Sequence, residues 1–306
     1  MQVAIAPAAL TGWGALRRRV RRTYAGYFFV TPAALLIVVF SVVAIVVSLY
    51  ISFFQWDILS DTHPFLGLAN YRQALAGDDL FWIALRNTAY YVVFVVPGIT
   101  VLGFGLALIA NEALFGRAVF RTIYFLPSIT PMVVIALIWI WLYTPDGLLN
   151  TILGALGLPQ PNWLSDPNTA MPAIIVMSVW QAVGYYTAIY MAGLADIPQD
   201  FYDAAKVDGA NRLQEIWHIT IPLLRNVTIF VTVTLAIAAF QMFTQVYVMT
   251  QGGPVNATET MQAIIYKNAF RYFKMGYAAA ISWLLFLVIF ALVAVQMRIF
   301  RSRETF

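Results

Sequence analysis

Six stretches of about twenty mainly apolar residues, each long enough to cross about 30 Å of hydrocarbon as a helix, dominate this chain. They fall at residues 28–52, 88–110, 122–144, 171–193, 227–249 and 276–298. With 61% hydrophobic and 10% charged residues and a mean hydropathy of +0.78, the 306 residues hold more apolar surface than a soluble core can bury. The bilayer must act as solvent. Lipid admits only helices and closed barrels, and the ten-residue alternation of barrel strands is missing. The expected fold is all-α: a polytopic integral membrane protein with six transmembrane helices.

Lys and Arg set the expected orientation. With a cytoplasmic N-terminus, the inner side carries Arg17, Arg18, Arg19, Arg21, Arg22, Arg117, Arg121, Lys206, Arg212, Arg225, Arg298, Arg301 and Arg303. The outer side carries Arg72, Arg86, Lys267, Arg271 and Lys274, a split of 13 to 5 that favours both termini inside. The basic excess therefore reports topology, with lipid as the partner, and not a nucleic-acid surface. The apolar part of residues 1–26 precedes the basic cluster, the reverse of a secretory signal, so an uncleaved tail with a short surface helix is expected. The expected organisation is a cytoplasmic tail at 1–26, a membrane domain at 27–300 and a short cytoplasmic tail at 301–306.

Absences narrow the function. No Asp, Glu, Lys, Arg or His lies in the core of any apolar stretch, whereas ion-coupled carriers and proton pumps need such groups. There is no phosphate loop, no H-E-x-x-H and no cysteine, and the two histidines, His63 and His218, lie between the stretches. No catalytic residue, metal site or bound cofactor is expected. Energy for uphill transport must then enter from another subunit.

The polar segment Tyr202–Pro222, YDAAKVDGANRLQEIWHITIP, offers a place for that entry. Asp200 is expected to cap a helix beginning at Phe201, with Asp203 in its first turn, running to about Asp208. Gly209 then supplies a left-handed stop, and Asn211 with Gln214 caps a second helix ending near Ile219, before Pro222 opens the next segment. Ala204, Ala205, Gly209 and Ala210 leave low relief for close approach. Val207, Leu213, Ile216, Trp217 and Ile219 are the apolar residues available to hold the hairpin to the membrane domain or to a partner. Local physics alone leaves both a simple connector and a docking lever open.

The string D-A-A-x-x-D-G-A followed by I-x-I-P resembles the coupling loop, or EAA motif, of ABC importer permeases. Asp203 stands where that family usually has Glu, and Asn226 where relatives often have proline. Leu66-Gly-Leu-Ala-Asn70-Tyr71, Tyr124-Phe-Leu-Pro127 with Pro131, Trp139-Ile-Trp141-Leu-Tyr143-Thr-Pro145, Gly193-Leu-Ala-Asp-Ile-Pro198 and Thr250-Gln-Gly-Gly-Pro254 are similar to the carbohydrate branch of these permeases, in order and spacing.

The resemblance implies a second, homologous permease subunit, two ABC ATPase subunits that use ATP and Mg, and an extracellular binding protein that delivers a small-molecule sugar. It places the protein in the cytoplasmic membrane of a bacterium or archaeon and gives the coupling role to Asp203, Ala204, Ala205, Asp208, Gly209, Ala210, Ile219 and Pro222 in a cytoplasmic loop at about 194–222. Sugar sites combine aromatic faces with neutral hydrogen-bonding groups. The fourth stretch offers Trp180, Gln181, Tyr185, Tyr186 and Tyr190; the fifth offers Phe240, Gln241, Phe243, Thr244, Gln245 and Tyr247. The resemblance puts Tyr185 and Gln241 near the sugar, and Ala239 and Met242 where some relatives carry polar ligands. Interfacial anchoring and interhelical hydrogen bonding are the structural alternatives for these residues. The lack of intramembrane charge favours a neutral sugar over a phosphate ester such as glycerol phosphate. An ion-independent or ion-coupled carrier or channel for a neutral solute leaves the capped hairpin without a task, and a membrane scaffold predicts association with partners but no solute-dependent ATPase activity.

Overall fold

The computed structural model describes residues 27, 29–111 and 117–301. The expected N-terminal surface helix, the arginine cluster from Arg17 to Arg22 and Arg303 lie outside the described residues. The chain divides into two units, Met1–Ile51 and Ser52–Phe306. In the first, α1 (Phe29–Ile51) is the expected first span, with a π-helical stretch over Val38–Val43.

The second unit is helical throughout its framework: α2 (Ala69–Ala76), α3 (Asp79–Asn111), α4 (Arg117–Ile129), α5 (Met132–Leu142), α6 (Leu148–Ala155) and α7 (Ala170–Ala195). There follow α8 (Gln199–Val207), α9 (Arg212–Leu223), α10 (Arg225–Phe240), α11 (Thr244–Met249), α12 (Met261–Tyr266) and α13 (Met275–Arg301). The described residues contain no strand longer than the isolated bridges Phe54 to Phe65 and Asp57 to Lys274. Four helices, α1, α3, α7 and α13, are long and apolar enough to cross a membrane alone, and the number reaches six if each of two bent pairs is one span.

Helices this apolar cannot choose a buried face by hydrophobicity, so they choose it by size and polarity. On α3 the buried stripe runs through Ala84, Thr88, Tyr91, Val95, Ile99, Gly103, Ala107 and Ala110 at helical spacing. On α7 it runs through Ala170, Ala173, Met177, Gly184, Thr187 and Gly193. These two stripes meet in the most extensive helix contact of the molecule, and α10 and α4 pack alongside. Two buried threonine hydroxyls are satisfied within their own helices: Thr88 donates to the Ala84 carbonyl at 2.8 Å and Thr187 to the Val183 carbonyl at 2.8 Å.

The third and fifth expected spans are not continuous, and this corrects their sequence boundaries. The third is α4 followed by α5, bent by 110°. Pro131 stands at the N-cap of α5 with ψ 134°, and its missing N–H cannot continue the helix before it. The fifth begins inside the hairpin: α9 and α10 are bent by 66° at Leu224. Its far end also differs, because α10 stops at Phe240 and α11 begins only at Thr244, instead of one helix reaching residue 249. The backbone freed at Gln241–Phe243 finds tertiary partners, Thr260 Oγ1 donating to the Met242 carbonyl at 3.4 Å.

Candidate functional site

A cavity of about 300 Å³ opens where α3, α5, α7 and α10 converge on this break. From the expected pathway set it gathers Gln181, Tyr186, Gln241, Thr244 and Gln245, with Phe243 beside them. Ala239 and Met242, expected as departures from a polar lining, are part of its wall. The geometry sets Trp180, Tyr185 and Phe240 apart from this cavity. Trp180 is partly exposed and tilts against Trp139 at 5.5 Å, Tyr185 is exposed and meets the edge of Tyr186 at 5.2 Å, and Phe240 is buried in the core. Tyr190, also offered by α7, is buried against Phe104.

Two polar lining residues escaped the sequence reading. Tyr91 of α3 reaches the cavity, where its phenol oxygen accepts a hydrogen bond from Gln245 Nε2 at 3.0 Å, both side chains being buried. Ser178 of α7 lies on the same wall. The run Asn87-Thr-Ala-Tyr-Tyr91 at the head of an apolar stretch was the available signal. Among the described residues, no Asp, Glu, Lys, Arg or His lines the cavity. It presents amides, hydroxyls and aromatic edges, which is the equipment for a neutral, hydroxyl-rich solute.

The loop between α11 and α12 closes over one side of this region and is pinned to α3. Asn87 Nδ2 donates to the carbonyls of Asn256 at 2.9 Å and Glu259 at 3.0 Å, and the Met261 N–H donates to Thr88 Oγ1 at 3.0 Å. Glu259, almost fully buried, is ion-paired with Lys267. Outside the candidate spans, the Tyr266 phenol is held above its ordinary range, first by hydrogen bonding and charge interaction with Tyr247 and then by burial.

The hairpin between α7 and α10 is a second constructed feature. Its first helix begins at Gln199, two residues before the expected Phe201, because Pro198 in an extended conformation takes the N-cap position. Asp200 therefore sits in the first turn and makes no cap bond. The helix ends as expected: Gly209 has φ +78°, the Gly209 N–H reaches the Lys206 carbonyl at 3.1 Å, and the Ala210 N–H reaches the Ala205 carbonyl at 2.9 Å. This is a Schellman stop. Asn211 and Gln214 then form a reciprocal capping box at 2.8 and 3.0 Å.

The second helix does not end near Ile219. It opens into a π-helical stretch at Ile216–Thr220 and runs through Pro222 to Leu223, because Pro222 removes one backbone donor and widens the turn before it. Tyr202 and Thr220 hydroxyls join the two helices at 3.1 Å. Asp203, Ala204, Asp208 and Gly209 are exposed, Ala205, Ala210 and Ile219 are half-buried, and Pro222 is exposed. Asp203 pairs with Lys206 at 3.4 Å in solvent. Val207, Leu213 and Trp217 point outward at 88%, 65% and 62% exposure, too much apolar surface for a polar hairpin that meets nothing.

Among the described residues, no group of three or more His, Cys, Asp or Glu could hold a metal ion.

Residues 99–303 match the family described as the binding-protein-dependent transport system inner membrane component, and the chain belongs to that family. It is 37% identical over 281 residues to the probable ABC transporter permease protein YurN of Bacillus subtilis, covering 90% of this chain and 96% of the relative. It is 34% identical over 290 residues to the trehalose/maltose transport system permease protein MalF of Thermococcus litoralis, covering 94% and 97%. Among solved structures it is similar to a bacterial ABC transporter involved in the import of the acidic polysaccharide alginate. That match has a TM-score of 0.81 at 21% identity and covers 95% of this chain and all of the other. The protein is thus a membrane-embedded ABC importer permease, a transport subunit by family.

Proposed function

We propose that this chain forms the translocation pathway of an ATP-driven importer for a neutral sugar or oligosaccharide. A soluble binding protein delivers the sugar from outside. The observation that carries the substrate class is the charge-free cavity walled by Gln181, Gln241, Gln245, Tyr91 and Tyr186. A trehalose/maltose permease among the relatives agrees with it. A second, homologous permease completes the pathway, and two ABC ATPase subunits consume ATP and Mg, this chain holding no cofactor. The membrane is the bacterial or archaeal cytoplasmic membrane, with both termini and the α8–α9 hairpin on the cytoplasmic side.

The hairpin is the lever by which the ATPases switch the cavity between its inward-open and outward-open states. Its Schellman stop, its capping box and the Tyr202–Thr220 bond stiffen it, and the exposed Val207, Leu213 and Trp217 supply the contact. Proline at 209 cannot adopt a positive φ, so Gly209→Pro should unmake the turn; Asn, which tolerates that conformation, should preserve it. Asp203→Lys removes only an exposed pair worth less than about 1 kcal/mol, so it tests docking and not folding. Transport should fall at least about tenfold in Gly209→Pro and Asp203→Lys, with ATP turnover no longer dependent on solute, while Gly209→Asn stays near wild type. Normal uptake in both of the first two variants would sink the lever assignment.

A further inference from the structure

We propose that four aromatic rings leading away from the cavity form a second sugar-binding surface, which seats the trailing residues of an oligosaccharide whose leading end occupies the cavity. The inference rests on the sugar-importer reading and narrows its substrate to chains longer than one residue.

Phe243, at the break between α10 and α11, belongs to the cavity wall. One turn along α11, Tyr247 stacks on it with ring centroids 5.0 Å apart and planes at 26°. Tyr266, at the end of α12, lies 4.8 Å from Phe243 and 5.4 Å from Tyr247. Phe270, one turn further, lies 5.4 Å from Tyr266. Exposure rises along the strip, from half-buried Phe243 and Tyr266 to 44% at Tyr247 and 61% at Phe270.

An aromatic belt that merely anchors helices at the membrane surface has no need to join a polar cavity ring by ring. Here the rings are continuous from the surface to a wall that also carries Gln241 and Gln245. The strip is also without uncompensated lysine charge, because Lys267, between Tyr266 and Phe270 in sequence, is neutralised by Glu259; Arg271 is exposed at its outer end. Repeated aromatic faces, phenol hydroxyls at Tyr247 and Tyr266, and amides at the inner end match a ligand that alternates C–H faces with hydroxyls. A neutral oligosaccharide is such a ligand. Phe270 stands two ring contacts out from the cavity wall, through Tyr266 to Phe243.

The test uses the assembled transporter in lipid nanodiscs. ATPase stimulation is measured with binding protein loaded with glucose, maltose, trehalose, maltotriose or maltotetraose. Phe270→Ala and Tyr247→Leu should each lower stimulation by the tri- and tetrasaccharide about fivefold, the factor that loss of one aromatic contact carries. Stimulation by any monosaccharide should not change, and Tyr272→Leu, at a residue 55% exposed on the same loop, should match wild type throughout. Equal losses for short and long sugars, no loss for any, a Tyr272→Leu effect equal to that of Phe270→Ala, or a wild type that responds only to monosaccharides would each overturn the strip while leaving the importer standing. Silence of the wild type towards every sugar, with ATPase subunits present, would instead remove the sugar reading and the strip with it.

Discussion

Gly184→Ala is expected to lower the stability of the permease by about 3 kcal/mol, and Gly184→Val to prevent its accumulation as a folded protein. Gly184 lies where α7 crosses α4, and a β-carbon there would overlap the Tyr124 carbonyl oxygen and sit 2.8 Å from Ser128 Oγ. Backbone, not a movable side chain, blocks the space. The crossing is also polar: Ser128 Oγ donates to the Gln181 carbonyl at 2.9 Å and accepts the Tyr185 N–H at 3.0 Å. Separating the helices would break both bonds and shift Gln181 in the cavity wall. Gly105→Ala on α3 is the control, because its β-carbon would meet nothing within 4 Å. Fluorescence-detected size exclusion after a heat ramp should show a clear loss for Gly184→Ala and none for Gly105→Ala; equal profiles would refute the close-approach argument.

Lys267→Met should be the second severe change, costing about 3–5 kcal/mol, because it leaves a buried carboxylate without its counter-charge. Glu259 is 1% exposed, and its Oε1 already lacks a hydrogen-bond partner, so the ion pair alone keeps that side chain tolerable. The same loop carries Thr260, which holds the Met242 carbonyl in the helix break. Loosening it should therefore disturb the cavity as well as the fold. The double variant Glu259→Gln/Lys267→Met removes both charges and should recover most of the lost stability. Thermal midpoints of the three proteins decide the matter: a double variant no better than the single would show that the pair itself is not what holds the loop.

What could be read in advance was local. Gly209 with its left-handed φ and the Asn211–Gln214 box need only a few neighbouring residues, and both appear where the sequence put them. The bend before Pro131 has an equally local cause, although the sequence reading ran 122–144 as one stretch. The break at Gln241–Phe243 has no proline or glycine to announce it and depends on a partner distant in sequence, Thr260. The hairpin start at Gln199 was misplaced because Pro198 in an extended conformation displaced Asp200 from the cap.

The cavity was half legible for a related reason. Polar residues in apolar helices stand out, so Gln181, Gln241, Thr244 and Gln245 could be listed as candidates from composition alone. The rotational phase of a uniformly apolar helix cannot be read so easily. Each step along a helix turns the side chain by about 100°, so Trp180 and Tyr185 face away although their neighbours Gln181 and Tyr186 line the cavity. Tyr91 needed the packing of α3 on α7 to bring it there.

On the proposed function, solute is selected in this chain's membrane cavity while energy enters through partner ATPases. The most direct measurement is ATP hydrolysis by the transporter purified through this subunit and reconstituted in nanodiscs, with binding protein supplied empty or loaded from a sugar panel. Co-purifying ATPase activity should rise with one or a few neutral sugars, and that rise should be lost in Gln241→Ala with basal turnover intact. Uptake of solute by this chain alone, without ATP, would contradict the proposed function.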